Sequence, residues 1–288
     1  MTQQINEFSI VIPAKNEAEN LQKLLPELIS LHPAAEILVV NDGSTDATEA
    51  VCVNHQVKVI SHPYSKGNGA AIKTGARNAS HQIVVFMDAD GQHQPKDIQR
   101  LLERLQQGAD MVIGARTSES QASFGRLLAN TIYNKLSSWI SGQKILDLTS
   151  GFRVVYKNKF SQFLYLLPNG FSYPTTSTMA FFRAGYSVEY ISIEAGERLG
   201  KSHINIVKDG LRFLVIIFKI GTLYSPLKIF LPFSFIFFLI GVVYYIYTYF
   251  SSHSFTNMGV VLFTSAIIIF LIGLVSEQIT ALIYKDSE

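Results

Sequence analysis

Two carboxylates close an apolar run in Val84-Val85-Phe86-Met87-Asp88-Ala89-Asp90-Gly91-Gln92-His93. The four apolar residues predict a buried parallel strand. Positions two apart on an extended chain point to the same side, so Asp88 and Asp90 can face one hard cation. They would stand at the carboxyl end of the strand, where open α/β sheets place their ligands. A divalent ion there can hold a diphosphate and neutralise it as it departs. The same residues also fit a strand-ending Asp turn with solvated carboxylates, and the D-x-D alone does not choose between the two.

Other stretches carry related chemistry. Asn41-Asp42-Gly43-Ser44-Thr45-Asp46 is a second acidic turn, in which Asp42 can accept hydrogen bonds from a base or ribose, or simply form an Asx turn. Lys66-Gly67-Asn68-Gly69-Ala70-Ala71 opens a helix with two glycines, and backbone N–H groups there can receive phosphate. Ile72 stands where a complete G-x-G-x-x-G would have its last glycine, so a tight helix start is the alternative. Asp147-Leu148-Thr149-Ser150-Gly151-Phe152-Arg153 is a polar turn before an apolar stretch. Arg198, Lys201 and His203 place three potential cations close together in Glu197–His203. That run suits anionic lipid headgroups, or a phosphate clamp in which Arg offers a bidentate fork.

The elements that must position these groups follow from periodicity. Phe8–Pro13, Glu36–Val40, Val57–Ile60, Gln82–Met87 and Asp110–Gly114 read as strands, with Ser187–Ile193 as a late one. Helices lie between them. Asn16 is the expected cap of the first, which carries Leu21, Leu24, Leu25 and Leu28 at helical spacing; a Ser/Thr cap is expected for the next, to about Asn54. Asn68–Ser80, Pro95–Gln107 and Phe124–Ser141 complete the set, the last with Arg126 and Asn130 on one face. Alternating strands and helices predict an α/β fold with a mostly parallel, doubly wound sheet.

The 288 residues carry a net charge of +2, too balanced for nucleic acid as a partner. Cys52 is the only cysteine, so no internal disulfide forms. Met1–Glu7 is polar, so no secretory signal is expected there. From Ile229 to Tyr284 there is no Lys or Arg, and Glu277 is the only acidic residue. Ile229–Phe250 and Met258–Val275 are each apolar enough to span a bilayer, given about 1.5 Å of rise per residue and roughly 30 Å of hydrocarbon. Arg198, Lys201, Lys208, Arg212, Lys219 and Lys228 precede the first span and Lys285 follows the second, so both termini are expected in the cytoplasm. Val207–Tyr224 suits an amphipathic helix in the membrane interface, with Pro226 and Pro232 favouring breaks. The expected organisation is a cytoplasmic domain over 1–206, a juxtamembrane helix over 207–228 and a two-helix hairpin over 229–288.

Taken together, these segments resemble the family-2 glycosyltransferases with a GT-A fold, and more narrowly the polyprenyl-phosphate glycosyltransferases, the dolichyl-phosphate mannosyltransferase-like group. Val11–Glu17, Val40–Asp46, Lys66–Gly69, Asp88–Gln92, Gly114–Arg116, Asp147–Arg153 and Arg198–His203 carry the likeness, with His203 where the family pattern has lysine. The resemblance implies an inverting, metal-dependent transfer of a hexose-type sugar from a UDP- or GDP-linked donor to a polyprenyl phosphate. It assigns Pro13, Ala14, Glu17 and Asp42 to the nucleoside, with Lys66 beside them on the donor. Asp88, Asp90 and Gln92 would hold Mg²⁺ or Mn²⁺. Arg116, Arg126 and Asn130 would meet the lipid phosphate, and Arg198, Ser202 and His203 would complete the clamp. A phosphate acceptor is already anionic and needs no strong base; if a base is required, Asp147 is the candidate, with a structural or sugar-positioning role as its alternative. Rival readings are a processive polysaccharide synthase, opposed by the lack of Q-x-x-R-W around Trp139, a non-catalytic nucleotide-binding adaptor, a transferase to another glycan or lipid, and a transporter. The hairpin could also support a homo-oligomer.

Overall fold

The computed structural model describes residues 7–116, 124–170, 172–194, 196, 215, 218–219, 221–254 and 256–285, with 124–130 and 252 by backbone alone. The chain divides into two compact units, Met1–Ser138 with Gln143–Ile204, and Trp139–Gly142 with Asn205–Glu288.

The first unit is built on a seven-stranded sheet. Its elements run β1 (Ser9–Ala14), α1 (Ala18–Leu31), β2 (Glu36–Asn41), α2 (Thr48–Asn54), β3 (Lys58–Ser61), α3 (Asn68–Asn78), β4 (Ile83–Phe86), α4 (Asp97–Gln106), β5 (Met111–Arg116) and α5 (Phe124–Ser141). They continue with β6 (Arg153–Tyr156), α6 (Lys157–Ser161), α7 (Tyr173–Arg183) and β7 (Val188–Ile193). The strand order is β3-β2-β1-β4-β6-β5-β7. Among the described strands only β6 runs antiparallel, paired to β4 and β5. Ile10, Val11 and Ile12 on β1 and Val84, Val85 and Phe86 on β4 are buried on both faces, as expected of strands covered by helices. Leu21, Leu24, Leu25 and Leu28 of α1 and Ile98, Leu101, Leu102 and Leu105 of α4 supply one covering layer. On α3, Gly75 lets the helix approach β1, since a Cβ there would lie 2.2 Å from Val11 Cγ1.

Two caps differ from expectation. Asn16 is not the N-cap of α1: it takes a positive φ of 55° ahead of Glu17, and its side chain accepts the Thr45 amide at 2.8 Å. The start of α2 is held by Asp46, not Ser or Thr, through acceptance of the Thr48 amide at 3.0 Å. A carboxylate beside helical N–H groups is also favoured by the helix dipole.

The second unit contains α8 (Pro226–Ser252) and α9 (Asn257–Ile283), both long and apolar enough to cross a membrane. Pro226 opens α8, but Pro232 lies inside it without ending it, contrary to the expected break. Helix ends are costly in hydrocarbon, so apolar helices tolerate an internal proline. Gly259, Ala266, Gly273 and Thr280, spaced by seven, are buried on α9. A Cβ on Gly273 would lie 2.8 Å from Phe230 Cβ, so the two backbones approach closely. Ser234 Oγ donates to Ala266 O at 2.8 Å, and Thr280 Oγ1 to Thr222 O at 3.1 Å. Glu277 accepts the Leu227 amide at 3.2 Å, capping the start of α8. The last turn of α5 belongs to this unit: Lys228 Nζ donates to Ile140 O at 2.9 Å and Tyr224 Oη to Ser141 O at 3.3 Å. Most of the expected interface helix, 207–224, lies outside the described residues; 221–224 is helical.

Candidate active site

The carboxyl edge of the sheet gathers the polar turns. β1, β2, β4 and β5 all end there, and antiparallel β6 begins there, with Phe86 opposite Arg153. Inserting β6 between β4 and β5 therefore delivers the 147–152 turn to the side of Asp88.

The β1 and β2 ends are laced together. Asn16 N donates to Ser44 Oγ at 2.9 Å, Glu17 N to Thr48 Oγ1 at 3.0 Å and Ala18 N to Asp46 Oδ2 at 3.1 Å. Pro13 is half-buried and Ala14 buried, while Glu17 accepts Asn20 Nδ2 at 2.6 Å. Asp42 is buried and its carboxylate is occupied from within the chain. It accepts His62 Nδ1 at 2.7 Å and Ser65 Oγ, Lys66 N and Gly67 N at 2.8 Å each. These fill the roughly four acceptor positions of a carboxylate. Through these bonds Asp42 anchors the 62–67 loop. Burial raises its pKa, but the hydrogen bonds from His62, Lys66, Gly67 and Ser65 outweigh burial and hold it below the ordinary value. His62 passes the link to α3 through Thr74 Oγ1 at 2.9 Å.

The glycine-rich helix start is likewise occupied. Gly69 N donates to Gly170 O at 3.1 Å and Ala70 N to Asn169 O at 2.9 Å, while Lys66 N and Gly67 N serve Asp42. A Cβ on Gly69 would lie 2.0 Å from Pro168 O, so the glycine admits the 168–170 backbone. These amides are bonded within the chain, which supports the tight-helix-start alternative. The Lys66 side chain stays exposed, 5.7 Å from the Tyr64 ring centroid.

Asp88 and Asp90 lie just past β4 and are half-exposed, with Gly91 at φ 73° turning the chain between Asp90 and Gln92. Asp90 Oδ1 accepts the Gln92 amide at 3.2 Å. His93, a residue without an expected role, is buried in the same loop. It stacks on Phe152 at 5.0 Å, and its Nδ1 lies 3.4 Å from the Asp88 amide. Accepting that amide leaves the ring proton on Nε2. Burial pushes His93 well below the ordinary histidine range, so it is neutral at pH 7. Two carboxylates and an amide oxygen are hard donors, and Mg²⁺-like ions are commonly held by one or two carboxylates completed by substrate phosphates. Among the described residues no group of three or more His, Cys, Asp or Glu converges. The donor set therefore fits a cation shared with a phosphate ligand, not a closed protein cage.

Asp147 forms a two-pronged pair with Arg116, accepting Nε at 2.8 Å and Nη2 at 3.0 Å, and Thr149 Oγ1 joins at 3.1 Å. Burial raises the Asp147 pKa, but Arg116 prevails and holds it below the ordinary value. A buried, ion-paired and depressed carboxylate is a poor general base, so the structural alternative for Asp147 is the one supported. Arg116 stands at the same edge, held by Asp147 and by Thr149 Oγ1 at 2.6 Å. Gly196 N donates to Gln92 O at 2.9 Å, so the basic run begins directly after a residue bound to the Asp90–Gln92 loop. Arg198, Ser202 and His203 themselves, and the side chains of Arg126 and Asn130, lie outside the described residues.

A GT-A-like glycosyltransferase core is the class that this mixed sheet and its acidic edge define. The chain belongs to glycosyl transferase family 2, whose model matches residues 9–165, and a second model, the GtrB C-terminal hairpin, matches 225–282. It is similar to the polyprenol monophosphomannose synthase of Mycolicibacterium smegmatis, 30% identical over 213 residues that cover 68% of this chain and 80% of the relative. It is 38% identical over 114 residues to the dolichol-phosphate mannosyltransferase of Pyrococcus furiosus, covering 38% of this chain and 32% of that one. It is also 33% identical over 156 residues to the undecaprenyl-phosphate 4-deoxy-4-formamido-L-arabinose transferase of Proteus mirabilis, covering 50% of this chain and 47% of that one. The chain thus spans less than half the length of the latter two. In fold, it matches glucosyl-3-phosphoglycerate synthase from Mycobacterium tuberculosis, crystallised with Mn²⁺, UDP-glucose and phosphoglyceric acid. The TM-score is 0.61 at 19% identity, over 75% of this chain and 79% of that one.

Proposed function

We propose that this protein is an inverting, metal-dependent glycosyltransferase that moves one hexose-type sugar from a UDP- or GDP-linked donor to a polyprenyl phosphate. The observation that carries the reading is one chain holding two half-exposed carboxylates at the end of β4 and two helices of bilayer length. The relatives named for polyprenol, dolichol and undecaprenyl phosphate transfer agree with it.

Asp88, Asp90 and Gln92 would hold the cation that faces the donor diphosphate. When bound, Mg²⁺ or Mn²⁺ supplies the charge that stabilises the departing nucleoside diphosphate. Pro13, Ala14 and Glu17 line the nucleoside side, and the Asp42-anchored loop brings Lys66 beside them. Arg116, Arg126 and Asn130 orient the lipid phosphate, with Arg198, Ser202 and His203 closing over it. An acceptor oxygen that is already anionic attacks C1 from the face opposite the leaving group, which inverts that centre. The protein's work is then to hold two anions together, by positioning and by cations. The positive-inside distribution puts domain 1–206 and both termini in the cytoplasm, with 207–228 along the interface and 229–288 crossing the membrane.

Purified full-length protein in detergent, given Mn²⁺, undecaprenyl phosphate and a panel of radiolabelled UDP- and GDP-sugars, tests this directly. Label extracted into organic solvent from one donor is the expected outcome. No label from any donor, with nucleotide binding intact, would overturn the polyprenyl-phosphate acceptor and favour the adaptor or another acceptor.

A further inference from the structure

Gly151 faces the first metal-site carboxylate with no side chain of its own. A Cβ built there would lie 2.5 Å from Asp88 Oδ2 and 3.0 Å from Asp88 Cγ. Gly151 is not among the residues with positive φ, so the backbone does not demand glycine. The demand is for space.

The decisive question is which partner would yield to a methyl group. The turn is held at nearly every residue. Asp147 is clamped by Arg116, and Leu148 N donates to Asn134 Oδ1 at 3.1 Å. Ser150 Oγ donates to Gly114 O at 2.6 Å, and Gly151 O accepts Tyr173 Oη at 3.2 Å. Arg153 completes the grip. It is fully buried, donates through Nη2 to Ser150 O, and reaches Pro174 O at 3.0 Å and Ser177 Oγ at 2.7 Å on α7. Its hydrogen bonds go to backbone carbonyls, the Ser177 and Thr178 hydroxyls and the Met111 sulfur, all of them uncharged. What meets that Cβ on the other side is the far end of a side chain, the carboxylate of half-exposed Asp88 in the loop after β4, and not backbone. Restoring ordinary contact takes about 1 Å of movement, whereas metal–ligand distances tolerate only about 0.2 Å.

We propose that Gly151 and Arg153 are positioning residues for the metal site: Gly151 leaves the space in which the Asp88 carboxylate sits, and Arg153 keeps the 150–151 backbone from moving away. The proposal rests on the metal reading of Asp88 and Asp90 given above.

The test measures binding of UDP and GDP to full-length protein in detergent across a Mn²⁺ series and in EDTA, alongside the melting temperature. Gly151→Ala is expected to raise the Mn²⁺ concentration for half-maximal binding at least tenfold, with binding in EDTA unchanged. Gly151→Ser is expected to raise it further. Arg153→Lys keeps the charge but loses the fork, and a smaller shift in the same direction is expected. Leu105→Ala, in the core far along α4, is the stability control: it lowers the melting temperature and leaves the Mn²⁺ requirement alone. A wild-type Mn²⁺ requirement in Gly151→Ala overturns the proposal, as does an equal loss in EDTA or an equal shift in Leu105→Ala. Should the wild-type protein itself bind nucleotide without regard to Mn²⁺, the metal reading fails instead.

Discussion

Asp42 follows β2, and Asp88 and Asp90 follow β4, the two strands that flank β1. In sequence the two acidic turns look alike. In the fold Asp42 is buried under four hydrogen bonds from its own chain, while Asp88 and Asp90 remain half-exposed. The difference lies in what comes next along the chain. The loop after β3 folds its amides onto Asp42 and makes it a scaffold for that loop. After β4, Gly91 turns the chain at φ 73° and His93 is the buried residue of the loop, while the two carboxylates stay half-exposed.

The comparison is broken or sharpened by substitution, and the largest effect is expected at the open turn. Asp90→Ala should lower turnover by roughly a thousandfold or more with little change in melting temperature, since charge stabilisation at the departing group is lost. Near-normal turnover would remove the metal assignment. Asp42→Ala should act the other way round, costing about 3–5 kcal/mol of stability in urea unfolding by stranding its buried donors. A stable Asp42→Ala protein that loses only nucleotide affinity would point to a direct contact with the nucleoside instead.

Asp147→Asn should reduce activity about tenfold by loosening Arg116, without altering the shape of the pH–rate profile between about pH 5 and 8. The Asp147 pKa is depressed in the fold, so its contribution is present above the ordinary carboxylate value and lost only as pH falls through the lower one. Loss of a limb near neutrality in the variant would reinstate it as a base. The smallest effect on activity is expected at Glu36, at the opposite end of the strands. Burial raises its pKa, but hydrogen bonds from Ser80, Ser9 and Lys58 prevail and lower it from 4.5 to about 2. Glu36→Gln should leave turnover unchanged and cost roughly 2–3 kcal/mol at pH 7. Because the folded value lies below the unfolded one, that gap should close as pH falls from 4.5 towards about 2. A gap independent of pH would show that the charge is not its source.

Much of this architecture was legible because it is written in periodicity. The β1–β5 and α1–α5 alternation and both apolar helices follow from runs of Val, Ile, Leu and Phe. β6 was hidden: it has four residues, opens on a buried Arg153, and enters the sheet between β4 and β5 against chain order. α7 was hidden too, because its Thr175, Ser177 and Thr178 look like loop chemistry while their hydroxyls serve buried Tyr133, Arg153 and main-chain oxygens. The Asp88–Asp90 pair could be found from spacing alone. The hydrogen bonding of Asp42 and of the Lys66, Gly67, Gly69 and Ala70 amides could not, since it depends on donors and acceptors from residues 62–65 and 169–170 arriving in three dimensions.

The Glu277 cap on α8 has a consequence for how the chain is made. The carboxylate that receives the Leu227 amide comes 50 residues later in the sequence. At a synthesis rate of about 5–20 residues per second, the first long helix waits roughly 3–10 s before its own cap emerges. Until then its opening turn has no Glu277 to bind, and its final placement is settled only when the second helix arrives. The two helices are therefore matured as a pair, and a chain cut between them would lose the partner that seals the beginning of the first.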